Sequence, residues 1–185
     1  AHPNMGNLVV LGEDYFSGLV GHWAFDETNG TVAHDSSGND RNGNLIGYEA
    51  NGTSWTAGKV GGALHFDGTN DIVKVQNNIG ISGTQPRTVS AWIKTEKANA
   101  VITTWASGNG SNGRTWCVRV GSSTLRTQVH GGHKATSTQI NVGAWVHVVS
   151  VYPEGSTSTA DIIHYVSGSL DAQNTLENQS VDTIA

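Results

Sequence analysis

Short runs of apolar or alternating residues recur along the whole chain, and clusters rich in Gly, Asn and Ser separate them. Because successive side chains of a strand point to opposite faces, such alternation predicts β-strands. Val, Ile and Thr together outnumber Leu, Ala, Glu and Lys, which also favours strands over helices. No segment predicts a helix longer than one turn, and no linker divides the chain. The pattern therefore predicts an all-β, antiparallel two-sheet sandwich.

Ten segments carry this pattern. The predicted strands are Leu8–Leu11, Leu19–Phe25, Gly61–Phe66, Asp71–Val75, Thr88–Lys94, Ala100–Trp105, Thr115–Val120, Thr124–His130, Trp145–Tyr152 and Asp161–Val166. The turn signal Asp67–Asn70 predicts that the two strands beside it form a hairpin. Trp23, Trp92 and Trp145 lie in alternating apolar runs, so we expect them to fill the space between the two sheets.

Charge and cysteine content exclude several classes of protein. The chain has 10 Lys and Arg against 15 Asp and Glu, a formal net charge of -5, and no basic run. A surface for nucleic acid or an anionic membrane needs clustered cations, so neither is an expected partner. The single cysteine, Cys117, excludes a disulfide framework and a cysteine-based zinc site. The low charge and the surface rich in Asn, Ser and Thr favour a secreted, extracellular protein.

Four stretches in a fixed order carry a resemblance to a known family. They are Gly18–Glu27, Asp35–Gly43, Gly58–Gly68, and the pair Val89–Lys94 with Trp145–Val149. Together they resemble the laminin-G-like family of the concanavalin A-like jelly rolls, in its bacterial multidomain form. The resemblance implies a jelly-roll domain over residues 17–185, with residues 1–16 as an N-terminal extension or edge strand.

The C-terminal part departs from the pattern of that family. Such domains close with a strand carrying a Gly-x-Ile-Asp-Asp-Val-like motif and then a short strand that contains an arginine, and neither piece occurs before Ala185. The closing strand is therefore expected to be absent. The chain is then a fragment of a longer protein, or Leu8–Leu11 fills part of the gap, or a strand of a neighbouring subunit completes the sandwich.

The polar segment Asp26–Asn44 is the candidate metal site. It is too polar to fold on itself, so either hydrogen bonds to its own backbone or a metal ion must order it. Calcium prefers carboxylate, amide and backbone oxygens. The family resemblance implies a Ca2+ ion near this loop, and the carry-over gives four candidate ligands: Asp26, Asp35, Asn39 and Asn42.

Carbohydrate is the predicted organic ligand, because a sugar has one apolar face and a polar rim. Trp105 precedes a glycine-rich loop that is suited to hydrogen bonding, and Trp116 follows it; packing in the core is the alternative for Trp116. Arg119, Arg126 and His130 alternate on adjacent strands, and a cationic sheet face would suit an acidic polysaccharide. The candidate ligand-binding residues are Trp105, Asn109, Asn112, Arg114, Trp116, Arg126 and His130.

The sequence does not indicate an enzyme. Its glutamates form no alternating acid cluster of the kind that glycoside hydrolysis needs, and it has neither a nucleophile elbow nor a phosphate-binding loop. We expect a non-catalytic recognition module that binds a polysaccharide, a glycoprotein or another protein partner. The alternative is a structural subunit of a surface layer or filament, completed by a neighbour's strand.

Overall fold

The computed structural model describes residues 18–48, 54–76, 79–105, 113–171 and 173–183, and the predicted strand Leu8–Leu11 lies outside them. The chain forms two compact units, Ala1–Gly80 and Ile81–Ala185. The described residues of both units form β-strands and turns, with one short 3₁₀ helix and no α-helix. All strand pairs are antiparallel, which confirms the predicted all-β class.

The first unit is built from five short strands. They are β1 (Val32–Ala33), β2 (Gly43–Ile46), β3 (Trp55–Ala57), β4 (Gly62–Leu64) and β5 (Ile72–Val75). One sheet has the order β1-β2-β5, and β3 pairs with β4. The predicted hairpin of Gly61–Phe66 with Asp71–Val75 is therefore wrong. The turn at Asp67–Asn70 exists, since Thr69 N donates to Asp67 Oδ1 at 2.7 Å, but the segments on its two sides pair with different strands.

Leu19–Phe25 was predicted as a strand, and the structure reduces it to one bridge between Trp23 and Asp35. Hydrogen bonds from side chains hold this segment in place of a continuous ladder of backbone hydrogen bonds. The indole of Trp23 donates to the carbonyl of Arg41 at 2.9 Å, and the guanidinium of Arg41 donates to the carbonyl of Val20 at 2.5 Å. The half-buried Trp23 thus anchors a polar loop by hydrogen bonding, a role that its apolar neighbours did not indicate.

The second unit contains longer strands in two sheets. They are β6 (Arg87–Lys94), β7 (Asn99–Trp105), β8 (Trp116–Gly121), β9 (Thr124–Val129), β10 (Gly132–Gln139), β11 (Trp145–Tyr152), β12 (Ile163–Val166), β13 (Ser169–Leu170) and β14 (Gln173–Glu177). The five-stranded sheet has the order β14-β10-β9-β8-β7, and the four-stranded sheet has the order β13-β12-β11-β6. The 3₁₀ helix Thr159–Asp161 precedes β12.

The core of this unit lies between its two sheets. The five-stranded sheet contributes Trp116, Val118, Val120, Leu125 and Val129, and the four-stranded sheet contributes Val146, Val148, Tyr152 and Val166. Strict alternation explains this selection, because every second residue of β8, β9 and β11 is buried. The two-sheet sandwich predicted from the sequence is confirmed in this unit.

Two of the three tryptophans predicted for the core lie on the other side of the four-stranded sheet. Val146 and Val148 of β11 point into the core, so Trp145 and His147 between them point away from it. Trp92 pairs across the strands with His147, and their ring centroids are 5.2 Å apart. The alternation in these strands was predicted correctly, but the face that points into the core was not. A strand with apolar residues on both faces does not show which face is covered.

The C-terminal segment contains a strand that the sequence analysis did not predict. Strand β14 extends the five-stranded sheet beside β10. Beyond it, Ser180 bridges to Ser158 and Thr183 bridges to Gly83, and Val181 and Thr183 are buried. Residues 173–183 therefore cover one edge of the sheet and one end of the core.

Candidate functional site

The candidate site is the face of the five-stranded sheet that points away from the core, which we call the outer face. Arg119 of β8 lies directly opposite Arg126 of β9, and Ala135 of β10 is the next residue in this row. A second row contains Thr104, Cys117, Gln128 and His133 on four adjacent strands. Arg119, Arg126 and Gln128 are half-buried. This face presents cations and hydrogen-bonding groups where the opposite face presents Val118, Leu125 and Val129.

The two arginines have no carboxylate partner among the described residues, whereas His133 in the second row pairs with Glu177 at 3.0 Å. Like charges directly opposite each other on neighbouring strands destabilise a sheet. The Nε of Arg119 makes a long hydrogen bond of 3.4 Å to the carbonyl of Val120, and the Nε of Arg126 is buried without a partner. The pair therefore concentrates positive charge and unused donors on the outer face.

His133 marks the end of the second row. It is 8% exposed, its Nδ1 faces Glu177 Oε2, and its Nε2 is buried without a hydrogen-bond partner. Beside it, burial raises the pKa of the Cys117 thiol, although Arg119 and Thr104 act in the opposite direction. Cys117 is thus a half-buried side chain whose thiol form is favoured over the thiolate.

The predicted ligand-binding residues fall into three groups. Arg126 lies on the outer face, and the exposed His130 follows the end of β9. The carbonyl of His130 accepts a hydrogen bond of 2.7 Å from the amide of Gly113, which brings the exposed Arg114 to the same end of the sheet. Asn109 and Asn112 lie outside the described residues.

The two tryptophans proposed as sugar platforms belong to the core instead. Trp116 is 0% exposed, and Trp105 packs against the core cluster with its ring centroid 6.0 Å from that of Trp116. Trp116 shares its face with Val118 and Val120, so the alternative reading of core packing is the one that the structure supports. The sequence analysis missed Gln128, which period-two alternation from Arg126 along β9 could have indicated, and His133, which lies on a strand that was not predicted.

The polar loop of the first unit is ordered by its own hydrogen bonds. Asp35 Oδ1 accepts from the amides of His22 and Ser37, and Asp35 Oδ2 accepts from the amide of Arg41 and the hydroxyl of Ser37, all within 2.8–2.9 Å. Burial raises the pKa of Asp35, but these bonds lower it by more, so the net shift is downward. The carboxylate is thus the centre of the loop.

The other three predicted metal ligands make similar contacts. Asn42 Oδ1 accepts from the amide of Asp35 at 2.8 Å, and Asn39 Nδ2 donates to the carbonyl of Leu19 at 2.7 Å. Asp26 lies apart from this set, because its Oδ1 accepts from the amide of Gly62 at 2.6 Å. The structure brings Asp35, Asn39 and Asn42 into one network and places Asp26 in another.

Comparison with known proteins identifies the family. The family model described as the Concanavalin A-like lectin/glucanases superfamily, of the laminin G type, matches residues 67–184. The chain belongs to this superfamily. The matched residues include all nine strands of the second unit, so the family assignment agrees with the sandwich described above.

The laminin G-like chain is also similar, at low sequence identity, to a solved structure. A solved structure of the mouse laminin alpha1 chain, domains LG4-5, is 14% identical, with a TM-score of 0.39 over 53% of this chain and 26% of that one. The laminin G-like chain thus spans about a quarter of that structure's length. No curated protein matches. Within the described ranges, no helix is long and apolar enough to cross a membrane.

Calcium, which the family resemblance implied, would have to replace hydrogen bonds at Asp35 in the laminin G-like chain as its loop is arranged. A calcium ligand needs a free oxygen lone pair directed at the ion. Both oxygens of Asp35 and the oxygen of Asn42 already accept protein hydrogen bonds, and Asn39 turns its amide nitrogen, a donor, toward the backbone. The described residues also hold no group of three or more His, Cys, Asp or Glu suited to a metal. The calcium site stays a prediction, and the hydrogen bonds account for the order of the loop.

Proposed function

We propose that this laminin G-like domain is a non-catalytic, extracellular recognition module whose outer face binds an acidic polysaccharide. Domains of this family often bind carbohydrate or protein partners and are generally not catalytic. The observation that carries the proposal is the pair Arg119 and Arg126, directly opposite each other and without a carboxylate partner among the described residues.

The chemistry of the face supports an acidic rather than a neutral glycan. A guanidinium binds a carboxylate through two parallel hydrogen bonds, and a bound anion would remove the repulsion between the two arginines. Gln128 supplies an amide for sugar hydroxyls in the neighbouring row. The aromatic platform expected from Trp105 and Trp116 is not part of this surface, so charge and amide contacts carry the binding.

The test is affinity electrophoresis of the 185-residue chain through gels that contain polygalacturonate, with dextran as the neutral reference. We expect retardation by polygalacturonate that weakens as salt is raised. Because a hydrogen bond to a charged group contributes about 1.5–3 kcal/mol, Arg126→Gln or Arg119→Gln should weaken binding about tenfold or more. Lys74→Gln is the matched control, since it removes one positive charge from an exposed position in the first unit. Equal weakening by all three substitutions would indicate a net-charge effect and would contradict the proposed site.

A second candidate function is the structural subunit completed by a neighbour's strand. The observation in its favour is β6, an eight-residue strand at the end of its sheet that pairs with β11 only, as far as the described strands show. A long unpaired edge is a template for another strand. Sedimentation velocity across a hundredfold concentration range distinguishes the two functions, because a monomer at every concentration contradicts the structural subunit.

A further inference from the structure

The strands of the five-stranded sheet contain a single acidic residue, Glu177. Their lysine and arginine residues are Arg119, Arg126 and Lys134. Lys134 does not belong to the outer face, because it pairs with Thr127, which points into the core, and its Nζ donates to a carbonyl of the 3₁₀ helix at 2.6 Å. Apart from histidines, the charged side chains of the outer face are therefore two arginines and one carboxylate.

The carboxylate of Glu177 has a defined position on this face. Glu177 lies opposite His133 on the neighbouring strand, and its Oε2 is 3.0 Å from His133 Nδ1. His133 in turn lies opposite Gln128, in the row next to the arginine pair. The side chain of Glu177 is 70% exposed, although its partner His133 is buried. A negative charge is thus held in solvent at the β14 edge of the outer face.

Two strand spacings separate this charge from the nearer arginine strand. The order β14-β10-β9 and a spacing of about 4.8 Å between strands place β14 about 10 Å from β9. This distance is close to the Debye length at physiological salt, so Glu177 acts on a ligand bound over the arginines. On the other side, β7 ends the sheet with uncharged residues only, including Val101, which is 58% exposed.

These charges restrict how an anionic polysaccharide can lie on the face. A chain that crosses the strands toward β14 brings its anionic groups up to Glu177, whereas a chain that runs along β8 and β9 keeps them over the arginines. The repulsion also grows with the number of ligand charges within reach of the carboxylate.

We propose that Glu177 is a specificity-determining residue of the outer face. It directs the bound polysaccharide along β8 and β9, and it favours a chain with one carboxylate per sugar over a sulfated chain with several charges per sugar. This inference rests on the proposed function of the outer face, and it adds the charge density of the ligand and its direction on the sheet.

Glu177→Gln separates this role from a purely structural one. The variant removes the charge but keeps an oxygen that can accept a hydrogen bond from His133, so the contact at 3.0 Å can be retained. If Glu177 served only to hold His133, the substitution would leave ligand binding unchanged. The matched control is Glu154→Gln, which removes one negative charge from an exposed position in the turn after β11.

The test is affinity electrophoresis of the full chain at pH 8 and about 10 mM ionic strength, where exposed charges are least screened. Gels contain polygalacturonate or dextran sulfate, and each mobility is compared with that in a gel without polymer. One unit charge at about 10 Å in water changes an affinity about twofold. We therefore expect Glu177→Gln to bind polygalacturonate about twofold more tightly, and dextran sulfate, which carries more than one sulfate per sugar, about fourfold or more. Glu177→Lys doubles the change in charge, so its gain for polygalacturonate should be about fourfold.

Three results would overturn the proposal. They are equal gains from Glu177→Gln and Glu154→Gln, binding by both Glu177 variants that matches the wild type, and a gain for polygalacturonate that equals or exceeds the gain for dextran sulfate. If polygalacturonate retards the wild type and one of these results is found, this inference fails and the proposed function stands. If polygalacturonate does not retard the wild type, both fail.

Discussion

The two units of the chain are stabilised by different means. In the first, strands of two to four residues surround few buried apolar side chains, and the carboxylate of Asp35 organises the polar loop. In the second, strands of up to eight residues enclose a large cluster of Val, Leu, Trp and Tyr. Side-chain hydrogen bonds can order a loop without apolar burial, whereas a sandwich depends on the area that its sheets bury.

The largest expected effect is a cavity in the core of the second unit. Leu125 is 0% exposed, so Leu125→Ala should lower the free energy of unfolding by about 2–5 kcal/mol. Ile72→Ala in the first unit is the matched control: Ile72 is 50% exposed, and its loss should cost less than about 1 kcal/mol. Urea unfolding at neutral pH measures both. Similar costs for the two substitutions would remove the contrast between the units.

The next largest effect concerns the loop of the first unit. Asp35→Asn removes the charge that accepts four hydrogen bonds and replaces one oxygen by a donor, so we expect a loss of about 1–3 kcal/mol. Hydrogen–deuterium exchange should rise in residues 18–48 and stay unchanged in residues 113–171. The control Asp40→Asn changes an exposed carboxylate that accepts one bond from Asn42.

The same pair of variants tests calcium. Because the loop is held by its own hydrogen bonds, the cost of Asp35→Asn should be equal in calcium and in a chelator. A larger cost in calcium, together with a lower melting temperature of the wild type in chelator, would show that the ion is a ligand of Asp35 and would contradict the arrangement described here.

Acid should weaken both units through different aspartates. Burial raises the pKa of Asp35 in the first unit and of Asp171 in the second, but hydrogen bonds, which Asp171 accepts from Ser137 and Thr138, lower both by more. A carboxyl with a lowered pKa in the folded state stabilises the fold above its unfolded pKa of about 3.9 and loses this effect as pH falls through the folded pKa. Unfolding free energies measured from pH 6 down to the acid transition should fall less steeply for Asp35→Asn and for Asp171→Asn. An unchanged slope would contradict the assigned shifts.

The smallest expected effect is a gain in the second unit. Ser122 and Ser123 connect β8 to β9 with φ values of 51° and 83°, the left-handed conformation that Asn-Gly adopts most readily in two-residue turns. The double substitution Ser122→Asn/Ser123→Gly should stabilise the protein by roughly 0.5–1 kcal/mol, since the backbone bonds of the turn are retained. Thermal unfolding measures the gain, and a loss of stability would show that the serine side chains contribute more than the turn geometry.

The sequence predicted the elements that have apolar alternation and missed those that do not. Trp145–Tyr152 was predicted with its observed bounds, and β6 to β9 within a residue or two. Strand β10 was missed because Gly132–Gln139 is mostly polar and has no apolar alternation, and its pairing with β9 and β14 makes it a strand. The hairpin error at Asp67–Asn70 has a related cause, because a local turn does not fix which strands pair beyond it.

For the candidate site, the sequence placed the two arginines on one face but assigned two core tryptophans to the ligand. Alternation put Arg119 and Arg126 on a shared face, and the structure confirms that they are cross-strand neighbours. The sequence analysis also predicted that Trp105 and Trp116 bind the ligand, although both side chains pack with the core. The contact of Arg87 and Tyr152 with Trp116 could not be foreseen from the sequence. Both residues lie far from Trp116 along the chain, and their strands belong to the opposite sheet.

The sequence by itself determined most strands that have apolar alternation, the scarcity of Lys and Arg, and the family, because these depend on local propensity, composition and the order of motifs. The tertiary structure alone decided which face of each strand is covered, since that depends on the partner sheet rather than on the strand. It also decided that Asp35 accepts a hydrogen bond from the amide of His22 and that Arg87 donates one to Thr183, because both contacts join residues distant in sequence.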